Sequence, residues 1–136
     1  MKGSANTLQP LRDAKTAWLR YVLIILVSEK IIQHTLVTAA FYFTWGNMAS
    51  TVAVNPSTLM ILGAIVAILF ILSLWGLINR QKWAVNLIIA LAVFDIIGEF
   101  VAQGTIIIAI TVSFLVATTL LILALLYRRR EAKGAA

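Results

Sequence analysis

Five side chains capable of acid–base or ionic chemistry lie inside strongly apolar stretches: Glu29, Lys30, His34, Asp95 and Glu99. The amides Gln33, Asn86 and Gln103 accompany them. An ionisable group among apolar neighbours is costly unless it is paired, neutralised or hydrated, so this set asks for a physical explanation. The spacing is helical. Lys30, His34 and Thr38 recur every fourth residue, as do Asp95, Glu99 and Gln103. Residues four apart share a helix face, so two polar stripes are expected, the first widened by Glu29 and Gln33.

If the stripes meet, they form a polar track between two helices. Histidine titrates near neutrality, and a histidine beside a carboxylate can exchange protons at physiological pH. The chemistry expected of such a track is proton or cation transfer. The alternative is a set of buried hydrogen-bonded pairs that fix helix register. Glu29 and Lys30 could pair locally, extend towards an interface or face a partner helix. Glu99 is placed near enough to the outer surface to reach water.

The elements that position these groups follow from composition. The chain has 136 residues, of which 62% are hydrophobic and 12% charged. Its mean hydropathy is +0.99. Soluble domains are about half apolar and about 25% charged, so a soluble fold would lack a polar surface. The fold class expected is an all-α membrane protein, an antiparallel bundle of four transmembrane helices with both termini cytoplasmic. Four apolar runs mark the spans, at about Trp18–Trp45, Thr58–Asn79, Trp83–Gln103 and Ile106–Tyr127. About 20 apolar residues suffice to cross ~30 Å of hydrocarbon, and the runs lack the alternation of a β-barrel. Residues 1–17 form an N-terminal cytoplasmic segment, 18–127 the membrane domain and 128–136 a basic cytoplasmic tail. The first run is too long and too polar for a cleaved signal peptide.

Charge sets the expected orientation. Lys2, Arg12 and Lys15 precede the first run and Arg20 lies at its start, Arg80 and Lys82 separate the second from the third, and Arg128, Arg129, Arg130 and Lys133 follow the fourth. The connections at Gly46–Ser57 and around Gly104 carry no charge. Basic residues favour the cytoplasmic side, and Trp18, Trp75, Trp83 and Tyr127 fall at the same predicted ends. Arg12, Lys15 and Arg20 could extend the first span as an interfacial helix after Pro10. Arg128, Arg129 and Arg130 read as a stop-transfer anchor facing anionic lipid headgroups.

On this topology, depth follows from a rise of ~1.5 Å per residue: His34 lies ~21 Å and Asp95 ~20 Å from the inner boundary. The two should face each other, directly or through water, with Glu29 below and Glu99 above. Small residues repeat at i+4 in Gly63 and Ala67, and in Ala109, Ser113 and Ala117. Such faces allow close helix contact, within the chain or between copies. Thr35, Thr38, Thr111, Thr118 and Thr119 are expected to bond back to their own helices. Pro56 should start the second helix and Gly104 end the third.

Several functions lose support. The chain has no cysteine and one histidine, which removes disulfides, thiolate metal sites, a cysteine nucleophile and paired axial haem ligands within one chain. Phosphate-binding, nucleophile-elbow and dinucleotide motifs are missing, and nothing specifies a metal or other cofactor. The net charge of +6 reads as topology rather than nucleic-acid binding. The leading expectation is a small transport protein or channel, in contact with membrane lipids and acting as a homo-oligomer. The alternative is a non-catalytic subunit or assembly factor of a larger membrane complex. A third is an intramembrane enzyme acting on a lipid or quinone, which would need a polar cluster opening to lipid. The membrane expected is a bacterial or archaeal plasma membrane.

Overall fold

The computed structural model describes residues 4–43, 54–103 and 112–135, and over them the chain is helical in four elements. They are α1 (Ser4–Tyr42), α2 (Pro56–Ile78), α3 (Lys82–Gln103) and α4 (Val112–Ala135). The apolar stretches have no water to satisfy their backbone N–H and C=O groups, so each segment must satisfy them internally as a helix. Three helices, over Leu8–Tyr42, Pro56–Ile78 and Lys82–Val101, are long and apolar enough to cross a membrane. The part of the fourth run before Val112 lies outside the described residues, as do Trp45, Gly104, Ala109 and Thr111.

The polar flanks are helical too. α1 has 39 residues, ~58 Å at ~1.5 Å per residue, far more than ~30 Å of hydrocarbon needs. It passes through Pro10 without ending, and α4 continues through Arg128, Arg129 and Arg130 to Ala135. Helical hydrogen bonding therefore outruns the apolar boundary at both basic ends.

The bundle is a ring of contacts: α1 packs on α2 and α4, and α3 packs on α2 and α4. Leu19, Leu23 and Val27 of α1 meet Val66, Phe70 and Leu77 of α2, Ile88 and Ala92 of α3, and Leu120 and Ala124 of α4 in one core. Outside it, Ile25, Ile32, Leu36, Ile61, Ile68, Ile71 and Ile97 are exposed. A continuous apolar exterior of this kind is destabilising in water and natural in lipid.

Local chemistry sets the helix ends. Asn55 caps α2, its Oδ1 accepting from Ser57 N at 2.9 Å, and Pro56 follows in the first turn, where a missing N–H costs nothing. At the other end Gln81 N donates to Gly76 O at 2.8 Å and Arg80 N to Leu77 O at 3.2 Å. That bonding pattern wants a left-handed residue after the cap, and Arg80 supplies it with φ 57°. Gly76 leaves room there: a Cβ would lie 2.7 Å from the Trp83 ring and 2.8 Å from the Ala84 Cβ.

Candidate functional site

The core stripe of α1 runs Leu19, Leu23, Val27 and then Lys30, which is fully buried. Helical spacing of the stripe puts a cation where an aliphatic residue would otherwise pack. Asp95 reaches the same place from α3, at 7% exposure. Its Oδ2 lies 2.7 Å from Lys30 Nζ, and its Oδ1 lies 2.9 Å from His34 Nε2. One carboxylate is thus shared by a lysine and a histidine one turn apart on α1.

The remaining acceptors around the ammonium come from two helices. Lys30 Nζ donates to Gln33 Oε1 at 2.9 Å, and to both the backbone oxygen and the Oγ of Ser113 at 3.0 Å. Including Asp95, four oxygen atoms surround a group with three N–H bonds, so the cation is fully satisfied. Satisfaction on this scale is what offsets the loss of water around a buried ammonium. His34 is held from its other side by α2, its ring stacking on Phe70 with centroids 5.7 Å apart and planes inclined by 23°. The cluster therefore ties α1 to α2, α3 and α4.

His34 and Asp95, placed at one depth by helical rise, are in contact. Lys30 joins them, taking the carboxylate oxygen that His34 leaves. Ser113 belongs to the same group, although its spacing with Ala117 suggested packing alone. The available signal was a hydroxyl among apolar residues, a feature Ser113 shares with Thr118 and Thr119 on the same helix; the backbone oxygen it also offers had none. Glu99 is half-buried one turn beyond Asp95 on α3.

Glu29 has a different setting. With Ile24, Ile25, Ser28, Ile32, Gln33 and Leu36 it lines an open groove of about 580 Å³ formed by α1 alone. Its Oε2 is buried and has no hydrogen-bond partner among the described residues. Gln33 lines this groove and also accepts from Lys30, so one side chain joins the outer face to the buried cluster.

The small residues hold helices close. A Cβ on Gly63 would lie 2.7 Å from Thr38 Oγ1, so any side chain added there would require Thr38 to shift. Ala67 and Ala117 are buried. Thr35, Thr118 and Thr119 donate to carbonyls four residues back at 2.7–2.8 Å. Thr38 departs from that expectation: its Oγ1 is buried with no partner among the described residues. Arg128 reaches Asn86 Oδ1 at 3.4 Å, a long and exposed contact. No group of three or more metal-ligating His, Asp or Glu residues exists among the described residues. Compared with protein families, curated proteins and solved structures, the chain finds no match.

Proposed function

We propose that this chain is a four-span, antiparallel membrane protein with both termini cytoplasmic, acting as a small transport protein or channel gated by a proton at Lys30, His34 and Asp95. The observation that carries the reading is one buried carboxylate held between a lysine and a titratable histidine. Buried ionic groups at membrane depth are expensive, and they commonly mark ion and proton pathways.

The step follows from the contacts. A proton arriving at His34 makes an imidazolium, whose Nε2 proton can pass 2.9 Å to Asp95 Oδ1. A neutral Asp95 no longer holds the ammonium by charge, while Lys30 keeps its bonds to Gln33 and Ser113. α3 is then released from α1, and the cluster acts as a latch with two states. Asp95 becomes the gate, His34 the proton donor and Lys30 the counter-charge. Glu29 and Glu99 extend the polar route on either side. A homo-oligomer supplies the wider pathway that four helices rarely enclose.

The test is flux from proteoliposomes containing a pH-sensitive dye. The wild-type protein should dissipate an imposed pH gradient at a rate that depends on pH, and Asp95→Asn, fixed in the neutral state, should abolish that pH dependence while leaving the helical circular-dichroism signal intact. Unchanged pH-dependent flux in folded Asp95→Asn would sink the reading.

A second reading, a subunit or assembly factor of a larger membrane complex, is favoured by Glu29. Its carboxylate borders an open groove of α1 and leaves Oε2 unpartnered among the described residues, so a turn of the side chain into the groove would offer that oxygen to a donor from a neighbouring chain. Lys30 and Asp95 satisfy each other within the chain, so Glu29 alone carries this reading. Co-purification of a stoichiometric partner that Glu29→Gln releases would support it.

A further inference from the structure

The two helical extensions at the basic end converge. Leu8, Gln9, Arg12, Asp13, Lys15 and Thr16 of α1 and Arg130, Lys133 and Gly134 of α4 line a common cleft of about 610 Å³. Its charges are the cations Arg12, Lys15, Arg130 and Lys133 and the single carboxylate of Asp13. Each helix contributes its cations three residues apart, so each pair lies on one face. Like charges on two converging helices repel, and an anion between them turns that repulsion into attraction.

Position along the helices narrows the kind of anion. Trp18 is exposed on α1 and marks the interface; Tyr127, buried in the core, ends the apolar part of α4. At ~1.5 Å per residue, Lys15 and Arg130 both stand ~4–5 Å beyond those rings, and Arg12 and Lys133 ~9 Å beyond. Aromatic rings prefer the membrane interface, and each headgroup layer is ~5–8 Å deep. The cleft thus has an inner and an outer rung of paired cations, one within the headgroup layer and one at its edge. Leu8 and Leu11, exposed on the same extension, suit contact with a lipid surface.

We propose that this cleft is a binding site for the phosphate-bearing headgroup of an anionic phospholipid, held between the α1 and α4 extensions. Arg130 and Arg12 offer planar forks to phosphate oxygens, while Lys15 and Lys133 act as point charges. Asp13 gives the site an acceptor for a headgroup hydroxyl. Two rungs favour a headgroup with two phosphates over one with a single phosphate. The site is independent of whether the chain transports anything.

α4 carries its own control. Arg128 and Arg129 border a different surface, with Ile122, Leu125 and Leu126. Arg130→Gln/Lys133→Gln and Arg128→Gln/Arg129→Gln therefore remove equal charge from the same helix end on different faces. The experiment is native mass spectrometry of the full-length protein in neutral detergent, titrated with phosphatidylglycerol, cardiolipin or phosphatidylcholine. The wild-type protein should retain cardiolipin most tightly, then phosphatidylglycerol, then phosphatidylcholine. Arg130→Gln/Lys133→Gln should bind the anionic lipids roughly 10- to 30-fold more weakly, at about tenfold or less per basic residue lost, with Arg128→Gln/Arg129→Gln close to wild type. Arg12→Gln/Lys15→Gln should reproduce the first variant from the opposite wall, and circular dichroism should show all three folded. Equal losses in both α4 variants would reduce the effect to surface charge and overturn the site. Competition by millimolar inorganic phosphate as effective as by lipid would overturn the lipid assignment.

Discussion

Glu29 and Lys30 are neighbours in sequence and opposites in surroundings. Lys30 is fully buried among acceptors from Asp95, Gln33 and Ser113, whereas Glu29 borders an open groove of α1 with one oxygen unpartnered. One step along a helix turns a side chain by ~100°, enough to move it from the bundle interior to the outer face. The difference teaches that a charge in an apolar run carries no fixed meaning. The helix face decides whether its partner must come from within the chain or from outside it.

The strongest way to break this comparison is to remove the inner partner. Asp95→Leu should cost ~3–5 kcal/mol, because it leaves the Lys30 ammonium buried without its counter-charge. Thermal unfolding in detergent, followed by circular dichroism, measures it. Replacing both partners, as Lys30→Met/Asp95→Leu, should recover most of that stability, since an apolar pair can fill the same space. If gradient dissipation returned along with stability, the cluster would be a device for helix register and not a gate.

Gly63→Leu comes next. A leucine at that position collides with Thr38, so Thr38 must shift or α1 and α2 separate, at ~1–3 kcal/mol by the same unfolding measurement. An unchanged melting temperature would show that the approach of α1 to α2 is not limiting. Ser113→Ala removes one of the four oxygens around Lys30 but leaves the backbone oxygen, so a loss of ~1 kcal/mol is expected. Glu29→Gln should be the mildest, within about 0.5 kcal/mol for the isolated chain, as for substitutions away from packed features. A large destabilisation there would place Glu29 with Lys30 as an internal structural charge and remove the argument for a partner at the groove.

Much of this arrangement was legible beforehand. The apolar runs announced the helices, because a long apolar segment with few charges has little else to form away from water. Pro56 after Asn55 marked the start of α2 through local bonding that needs no distant residue. Equal helical rise put His34 and Asp95 at one depth. The α2–α3 turn was less legible, since its left-handed position holds Arg80 where glycine is usual. The role of Ser113 was hidden for a different reason. It lies 83 residues from Lys30, and one of its two acceptors belongs to the backbone, which every residue possesses.

The sequence by itself determined that the chain forms helices and that a few polar side chains among them require partners; it marked four apolar runs, and among the described residues three helices are long and apolar enough for a membrane. These are properties of one segment at a time, set by backbone hydrogen bonding and the transfer of side chains out of water. Only the tertiary structure decided that Asp95 holds Lys30 and His34 together, that Ser113 completes the shell, that Glu29 borders a groove apart from them and that Arg12 and Lys15 line one cleft with Arg130 and Lys133. Those outcomes depend on how each helix is rotated about its axis and which neighbour it meets, and no stretch of sequence encodes that alone.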